Sequence, residues 1–335
     1  MTEKKRILSG MRPTGRLHLG NLHGALENWI QLQKQYDCFF FVADWHALTT
    51  DYATPGDIHN NIWEMVVDWL SAGLDPQYCT LFIQSEVKEH AELHLLLSMI
   101  TPLPWLERNP TYKEQQQQLE QKDLATYGFL GYPVLQAADI IMYKANGVPV
   151  GKDQLPHVEL TREIARRFNF MYQREVFPVP DPLLTEVPVL PGTDGRKMSK
   201  SYGNCIYITE AEEVIREKIL KMMTDPARVR RHDPGNPELS PVFAYHKIYS
   251  STAEIEEVAH GCRTAAIGCI DCKKILIKNV LTRLNPIREK RLELEANMDK
   301  VKETLREETG RARAVAVQTM AEVRDTIGLD AFGRL

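Results

Sequence analysis

The sequence predicts an α/β protein with a doubly wound parallel sheet, followed by a C-terminal α-helical part. Strand patterns alternate with helical patterns through the first half of the chain, and every periodic segment beyond residue 205 is helical. The 335 residues are 43% hydrophobic and 26% charged, which suffices for one large or two ordinary domains with a real core. This composition argues against disordered, collagen-like and disulfide-scaffold proteins.

The first elements follow in the order β-α-β-α-β. The second strand is a run of aromatic residues without alternation, which is typical of a strand buried on both faces. The first helix has one apolar face, with Leu22, Leu26, Trp29 and Ile30, and the second is expected to begin at Thr54-Pro55. This order implies parallel strands with right-handed crossovers. The strands are predicted at 6–10, 38–44 and 79–85.

A further unit of helix, strand and helix follows, and the chain then becomes rich in proline. The unit is predicted at 132–144, 147–151 and 153–169. Five prolines between residues 177 and 191 predict a linker or loop-rich join. The last helix has Ala316, Met320, Val323 and Ile327 on one face and is expected to end at Gly328.

The charge and the ends of the chain limit the cellular context. A net charge of −4 predicts no polyanionic partner by itself. The most hydrophobic segment, 38–43, ends at Asp44, so no segment approaches the ~18 apolar residues of a membrane span. The start is charged and does not resemble a signal peptide, so we expect a cytoplasmic protein whose six cysteines are thiols or metal ligands.

Residues 9–24 read SGMRPTGRLHLGNLHG and place a glycine-rich turn between the first strand and the first helix. Glycines at 10, 20 and 24 let backbone approach a flat ring or a phosphate chain, and the helix N-terminus favours an anion. His18 could donate to phosphate oxygens. An ordinary glycine-rich turn would give the same pattern.

Residues 195–204 read GRKMSKSYGN, with two lysines three residues apart between hydroxyl groups. Such a cationic loop could close over a pyrophosphate and stabilise the charge that develops there. A charged surface turn is the alternative for this segment alone. The combination of HLGN after the first strand and KMSKS about 180 residues later is hard to obtain by chance.

The two motifs resemble the HIGH and KMSKS signatures of class I aminoacyl-tRNA synthetases. The segments SGMRPTG at 9–15, YPVLQAAD at 132–139 and GVPVGKDQ at 147–154 are similar to those of the bacterial tryptophanyl-tRNA synthetases, and the similarity runs from residue 6 to about 330. Asn21 stands where many class I relatives have a second histidine, a difference that the tryptophan branch shares. The resemblance implies that the chain activates L-tryptophan with ATP, which arrives with Mg²⁺, and transfers it to the 3′ end of tRNA(Trp).

The resemblance also implies roles for single residues. Lys197, Lys200 and His18 would act in catalysis. The ATP site would comprise Arg12, Pro13, Thr14, Gly20, Asn21, Gly151, Lys152, Asp153, Leu190, Lys197, Met198, Ser199, Lys200, Ser201 and Lys113. The tryptophan site would comprise Asp139, Gln154, Gly10, His46, Val148 and Val150.

Asp139 is the residue expected to select the amino acid. It lies between apolar residues, and an ionised carboxylate there could accept a hydrogen bond from the indole N–H. Phenylalanine has no such donor, so an unpaired Asp139 would cost roughly 10⁴-fold in discrimination. A helix-surface carboxylate is the alternative, and His46 could equally be structural.

Tyrosine is the competing substrate, since Tyr132, Gln136 and Asp139 have the spacing of the tyrosyl-tRNA synthetases. Those enzymes usually place a tyrosine at the position of Leu8, and they differ at 148–151. An apolar Leu8 suits a ring without a hydroxyl group. A protein that binds nucleotide or RNA without aminoacylating is the alternative from another class, and intact Lys197, Lys200, Asp139 and His18 argue against it.

Cys262, Cys269 and Cys272 have a ligand-like spacing, and some bacterial relatives hold a [4Fe-4S] cluster on such a set plus one upstream cysteine. Ser240 stands at the upstream position, so the four-cysteine cage is incomplete. We therefore expect buried free thiols rather than a metal site, with a cluster or zinc completed by an outside ligand as the alternative.

The resemblance implies a Rossmann-type catalytic domain at 1–204, which includes the KMSKS loop, and a helical anticodon-binding domain at 205–335. It also implies a homodimer. Gly261 to Arg291 carries eight basic and two acidic residues, which indicates a phosphate-binding surface for tRNA. A solvated helix face is the alternative.

Overall fold

The computed structural model describes residues 4–53, 55–109, 126–184 and 190–329. Five parallel strands form one sheet in the order β3-β2-β1-β4-β5. The predicted doubly wound parallel sheet is confirmed. The strands are β1 (Arg6–Met11), β2 (Asp37–Val42), β3 (Cys79–Ile83), β4 (Gly147–Val150) and β5 (Asp181–Leu184).

Strand β5 replaces part of the loop-rich join that the prolines predicted. Pro182 pairs with Val148 of β4 in parallel register. A proline is tolerated here because β5 is an edge strand, whose second side needs no backbone N–H for the sheet. The prediction of a linker was therefore wrong for residues 181–184.

Helices cover both faces of the sheet. They are α1 (Leu19–Asn21), α2 (Glu27–Leu32), α3 (Asp44–Asp51), α4 (Ile58–Ala72), α5 (Glu89–Ile100), α6 (Leu103–Glu107), α7 (Tyr127–Met142), α8 (Leu155–Tyr172), α9 (Glu212–Lys221), α10 (Pro241–Tyr249), α11 (Thr252–Arg263), α12 (Cys269–Glu295) and α13 (Met298–Ile327). A π-helical turn, Leu22–Leu26, joins α1 to α2. Short 3₁₀ turns lie at Gln84–Glu86, Lys152–Gln154, Lys200–Tyr202 and Pro237–Leu239.

Several helix boundaries differ from the prediction: α7 covers Tyr127–Met142 rather than 132–144, and α8 covers Leu155–Tyr172 rather than 153–169. Helix α4 begins at Ile58, after Asp57, rather than at Thr54-Pro55, and Thr54 lies outside the described residues. Asp44 begins helix α3, which the sequence did not predict, instead of ending the second strand. The predicted end of α13 at Gly328 is confirmed, with φ of 74°.

Alternate residues of the strands enter two hydrophobic clusters, one on each face of the sheet. Ile7 and Phe40 lie in the first cluster, which extends to α12, while Leu8 and Phe41 lie in the second. Helix α13 joins the second cluster through Ala312, Ala316, Met320 and Val323. Of the tail helices, α13 packs directly against β3, while α12 packs against α4.

Candidate active site

A cavity of about 480 Å³ opens at the carboxyl ends of β1 and β4, where the chain reverses its direction of strand addition. Ligands of doubly wound sheets bind at such a switch point. Ten of the residues named from the sequence line this cavity together: Gly10, Arg12, Thr14, Asn21, His46, Asp139, Val148, Val150, Gly151 and Gln154.

His18 caps the short helix that begins the first motif. Its Nδ1 accepts the backbone N–H of Asn21 at 3.3 Å, and the Asn21 side chain accepts the backbone N–H of His18 at 3.1 Å. Burial, helped by the charge of Lys200, lowers the pKa of His18 to about 4. His18 is therefore neutral near pH 7, and its Nε2 is left to carry the proton. This geometry provides a hydrogen-bond donor without a charge.

The KMSKS loop lies against the first motif. The ammonium of Lys200 donates to the carbonyl oxygen of Thr14 at 2.6 Å and to its hydroxyl group at 3.2 Å. Asn204 holds the loop from inside, since its oxygen accepts the Ser199 N–H at 2.8 Å and its amide donates to the Lys197 carbonyl at 3.2 Å. Thr14 and Lys200 are 186 residues apart in sequence, and their contact joins the two motifs into one surface.

The remaining residues of the two motifs lie around this contact. Pro13 is buried, and the sulfur of buried Met198 lies close to Gly20. Lys197 and Ser201 are exposed, and the hydroxyl groups of Ser199 and Ser201 are 2.8 Å apart. None of these side chains lines the cavity itself.

The segment after β4 ends at the same edge of the sheet. Lys152 and Asp153 are exposed on a 3₁₀ turn, and a Cβ atom on Gly151 would lie 2.7 Å from the Asp153 carboxylate. Asp153 accepts a hydrogen bond from Gln154 at 2.9 Å. Leu190 is buried in the first cluster, and Lys113 lies outside the described residues.

Asp139 is fully buried at the floor of the cavity and has protein partners on both oxygens. His46 Nε2 donates to Oδ2 at 2.7 Å, and His90 Nδ1 donates to Oδ1 at 2.6 Å. The amide of Gln84 lies 2.8 and 2.9 Å from the two oxygens. Burial alone would raise the pKa of Asp139, but the hydrogen bonds from the two histidines lower it to about 2. The carboxylate is ionised and paired.

The partners of Asp139 contradict the expectation that its carboxylate would be unpaired with phenylalanine in the site. A surface position for Asp139 is excluded, but the carboxylate is not left without partners when no indole is bound. Four donor contacts occupy the roughly four lone-pair directions of a carboxylate. An incoming N–H must therefore replace one of them, and His46, with 12% of its side chain exposed at the cavity wall, is the most accessible.

Apolar groups form the walls above Asp139. Gly10 leaves room for the ring of Phe41, because a Cβ atom at Gly10 would lie 2.4 Å from that ring. Leu8 is buried in the wall, as expected for a ring without a hydroxyl group, and Val148 is buried beside it. The cavity therefore offers a slot with largely apolar walls above the ionised Asp139.

Sequence reasoning missed His90, Gln84 and His157. Tyr143 donates its O–H to His90 Nε2 at 2.8 Å, which orients His90 toward Asp139. His157 contacts the Tyr132 hydroxyl at 3.0 Å, and burial lowers the pKa of His157 to about 4. Of these three, only Gln84 could have been proposed from the sequence, because it is a polar residue directly after a predicted strand, where the carboxyl edge of the sheet is expected.

The three cysteines and Ser240 line a second, much smaller cavity of about 30 Å³. Burial, with help from the neighbouring thiols, raises the pKa of Cys272 to about 12. All six cysteines are free. Within the described residues, no group of three or more His, Cys, Asp or Glu side chains has the arrangement to hold a metal ion.

No helix in the described part of the chain has the length and apolar character to cross a membrane.

Comparison with known proteins agrees with this geometry. The family model for class I tRNA synthetases (W and Y) matches residues 1–285. The tryptophan–tRNA ligase of Thermotoga maritima is 56% identical over 326 residues, which are 97% of this chain and 99% of the relative. That of Aquifex aeolicus is 45% identical over 394 aligned positions, with 97% and 100% covered.

A solved structure has the same fold at almost full length. The tryptophanyl-tRNA synthetase of Campylobacter jejuni, complexed with ADP and tryptophan, superposes with a TM-score of 0.87 at 34% identity, over 96% of this chain and 99% of the other. The identities, the coverage and the two joined motifs lead to one conclusion: this chain belongs to the bacterial tryptophan–tRNA ligases, within the class I tRNA synthetases.

Proposed function

We propose that the cavity at the switch point activates L-tryptophan with ATP and that the same site passes the tryptophanyl group to the 3′ end of tRNA(Trp). The observation that carries this proposal is the junction of the two motifs, where Lys200 contacts Thr14 at the mouth of a cavity with ionised Asp139 at its floor. A carboxylate of the amino acid attacks the α-phosphate, and pyrophosphate leaves. Such a displacement needs positioning and charge stabilisation rather than a protein nucleophile.

The ATP side of the proposed site is the junction itself. Lys200 and Lys197 would stabilise the charge that develops on the leaving pyrophosphate, and neutral His18 would donate from Nε2. Backbone near Gly20 and Asn21, at the first turn of helix, would meet the phosphates. On the other side, Gly151, Lys152 and Asp153 would hold the adenosine, with Leu190 beside the base. Mg²⁺ would enter as part of the Mg·ATP substrate.

The tryptophan side is the slot between β1 and β4. The indole would lie between Gly10, Val148 and Val150, with its N–H directed to Asp139. Since His46 occupies that oxygen at 2.7 Å, we infer that the indole N–H takes the place of His46 Nε2. Gln154 at the cavity wall is then near the amino acid backbone.

This exchange lowers the discrimination that Asp139 supplies on its own. When phenylalanine occupies the slot, His46 stays on the carboxylate and no charge is left unpaired. The two complexes then differ in which donor bonds Asp139, the indole N–H with tryptophan or His46 with phenylalanine. Tryptophan gains the contacts of its larger ring in addition. We expect about 10- to 100-fold from Asp139, not 10⁴-fold.

The helical part, 205–335, is proposed to bind the anticodon arm, and 1–204 to form the catalytic domain. Of the eight basic residues between Gly261 and Arg291, two are internal and cannot contact a phosphate. Lys273 donates to the carbonyl groups of Leu220 and Met222, and Arg291 is paired with buried Asp68. The exposed members that remain as candidates are Arg263, Lys274, Lys278, Arg283 and Lys290.

A homodimer is supported by an apolar patch on the catalytic domain. Leu95 and Met99 of α5 are 55% and 70% exposed, and Leu103 and Tyr127 stand on the adjoining α6 and α7. Large exposed apolar patches mark interaction sites. We propose that this patch, defined by these four residues, meets the same patch of a second copy across a two-fold axis. A cytoplasmic location accords with six free thiols.

The test of the proposed activity is tryptophan-dependent exchange of pyrophosphate into ATP by the purified chain. Exchange with tryptophan, much slower exchange with tyrosine and phenylalanine, and charging of tRNA(Trp) are the expected results. Faster exchange with tyrosine, or none with tryptophan, would contradict the proposal.

A further inference from the structure

The first motif and the residues after the KMSKS loop form a short antiparallel link. The backbone N–H of Leu19 donates to the Ile206 carbonyl at 2.9 Å, and the N–H of Ile208 donates to the Leu17 carbonyl at 3.0 Å. His18 lies opposite Tyr207 within the link. We call Leu17–Leu19 together with Ile206–Ile208 the link. The distance between His18 and the KMSKS loop therefore depends on the link.

One carboxylate holds both segments of the link. Asp68 projects from α4 and is fully buried, with 0% of its surface exposed. Its Oδ2 accepts the Leu17 N–H at 2.6 Å, while its Oδ1 accepts the Thr209 hydroxyl at 3.2 Å. Thr209 directly follows the second segment. Displacement of Asp68 would release the two segments at the same time.

A guanidinium from the tail completes the arrangement. Arg291 of α12 donates from Nη1 to Asp68 Oδ1 at 2.5 Å and from Nη2 to Glu64 Oε2 at 2.6 Å, with 5% of its side chain exposed. Arg16, beside Leu17, donates to the same Glu64 oxygen at 2.8 Å. The tail helix thus reaches the first motif through both carboxylates.

A buried ion pair is a poor choice if stability is the only requirement, since apolar residues of similar volume often serve as well or better. This pair meets the backbone that leads into His18 and the chain that leaves the lysine loop. Reacting groups tolerate little displacement, because about 1 Å costs on the order of 100-fold in rate. The rate that accurate placement of the link preserves therefore outweighs the free energy lost when Asp68 and Arg291 are removed from water.

We infer that Asp68 and Arg291 are positioning residues for ATP activation, which set the spacing of the two ATP motifs and connect it to helix α12. The inference rests on the proposed ATP site. Neither side chain lines the cavity, so both act through Leu17 and Thr209 rather than by contact with substrate. Helix α12 thereby gains a path by which its position affects adenylate formation.

The test is Asp68→Asn, which keeps the shape but replaces one acceptor oxygen by an NH₂ group. The expected result is about a 10-fold rise in KM for ATP with a fall in kcat of pyrophosphate exchange, while KM for tryptophan stays within about twofold. The matched control is Glu322→Gln. Glu322 pairs with Lys144 and also joins a tail helix to the catalytic domain, but away from the link. We expect wild-type kinetics from this control.

Two substitutions at Arg291 distinguish the effect of its positive charge from that of its shape. Arg291→Lys keeps the charge, and Arg291→Gln removes it. Lysine keeps a charge beside Asp68 and should recover part of the ATP affinity that glutamine loses. Thr209→Val, which removes one hydroxyl group, should raise KM for ATP in the same direction even if Asp68→Asn does not fold.

The inference is overturned if Thr209→Val leaves KM for ATP unchanged. It is also overturned if a folded Asp68→Asn keeps both kinetic constants, if its KM for tryptophan rises as much as that for ATP, or if Glu322→Gln matches it. Absence of exchange in the wild-type chain would instead contradict the proposed function.

Discussion

The ammonium of Lys200 lies 2.6 Å from the carbonyl oxygen of Thr14, so the KMSKS loop rests on the turn that follows β1. Burial lowers the pKa of Lys200, which indicates that the contact removes the ammonium from water. The loop is thus held close to where the pyrophosphate would leave. At the proposed ATP site, phosphate oxygens would take the place of the Thr14 contact.

Lys200→Ala should lower the rate of tryptophan-dependent pyrophosphate exchange about 10²- to 10³-fold, because one positive charge is lost where negative charge develops. KM for tryptophan should hardly change, since Lys200 does not line the cavity that contains the slot. Steady-state exchange kinetics at saturating tryptophan give the measurement.

Thr14→Val is the matched control for that contact. It removes the hydroxyl at 3.2 Å but keeps the carbonyl oxygen at 2.6 Å, so less than a 10-fold loss is expected. If Lys200→Ala kept a third or more of the exchange rate, the role of Lys200 would be refuted.

Asp139→Asn should lower the preference for tryptophan over phenylalanine about 10- to 100-fold, measured as the ratio of kcat/KM values in exchange. Asparagine offers one acceptor instead of two and cannot satisfy both His46 and His90. An unchanged preference in a folded Asp139→Asn chain would show that another group selects the indole.

Asp139→Ala is expected to affect the fold as well, which the sequence alone did not suggest. It leaves buried His90 and Gln84 without their acceptor, and breaking such a buried charged network costs about 3–5 kcal/mol. Urea unfolding should show a lower midpoint than for Asp139→Asn. Equal midpoints for the two variants would mean that the histidines find other partners.

The sheet could be predicted because each of its first four strands is a short apolar run between turn residues or helical patterns. Strand β5 could not, since Pro182 breaks the rule for central strands and an edge position is visible only in three dimensions. Two of the partners of Asp139 were hidden for a related reason. His90 and Gln84 are 49 and 55 residues distant in sequence, and neither belongs to a recognisable motif.

His18 gives a pH dependence of defined sign. Its folded-state pKa of about 4 lies below the ordinary value of 6.5, so the unfolded chain binds the proton more readily between those values. Stability from neutral His18 is therefore full above pH 6.5 and decreases as the pH falls toward 4. His18→Asn keeps a capping acceptor and should flatten this part of the stability curve.

The measurement is the urea midpoint of both chains from pH 7.5 to 4.5. The wild-type midpoint should fall relative to that of His18→Asn as the pH decreases from 6.5 toward 4.5, and exchange activity of the wild type should show no loss attributable to His18 near pH 6.5. His157, whose pKa is also lowered to about 4, remains in both chains and cancels in the comparison. A constant difference over this range would contradict the lowered pKa of His18.

Met99→Glu should dissociate the proposed dimer, because it places a charge in the centre of the apolar patch. Sedimentation velocity over a range of concentrations would show a monomer where the wild type is a dimer. Val229→Glu, at a side chain that is 84% exposed outside the patch, is the control and should stay dimeric. A dimer in both variants would place the interface elsewhere.

The cysteine cavity should hold no cluster in the wild-type chain and gain the ability in Ser240→Cys. The wild-type cavity, about 30 Å³ in volume, is lined by three thiols and by Ser240, so it is one thiolate short of a four-cysteine set. Ser240 lines the same cavity as the three thiols, so a fourth thiol there completes a four-cysteine set. Iron and acid-labile sulfide are measured on both chains purified without oxygen. Stoichiometric iron in the wild type would show that three thiolates suffice, while none in Ser240→Cys would show that the cavity cannot open.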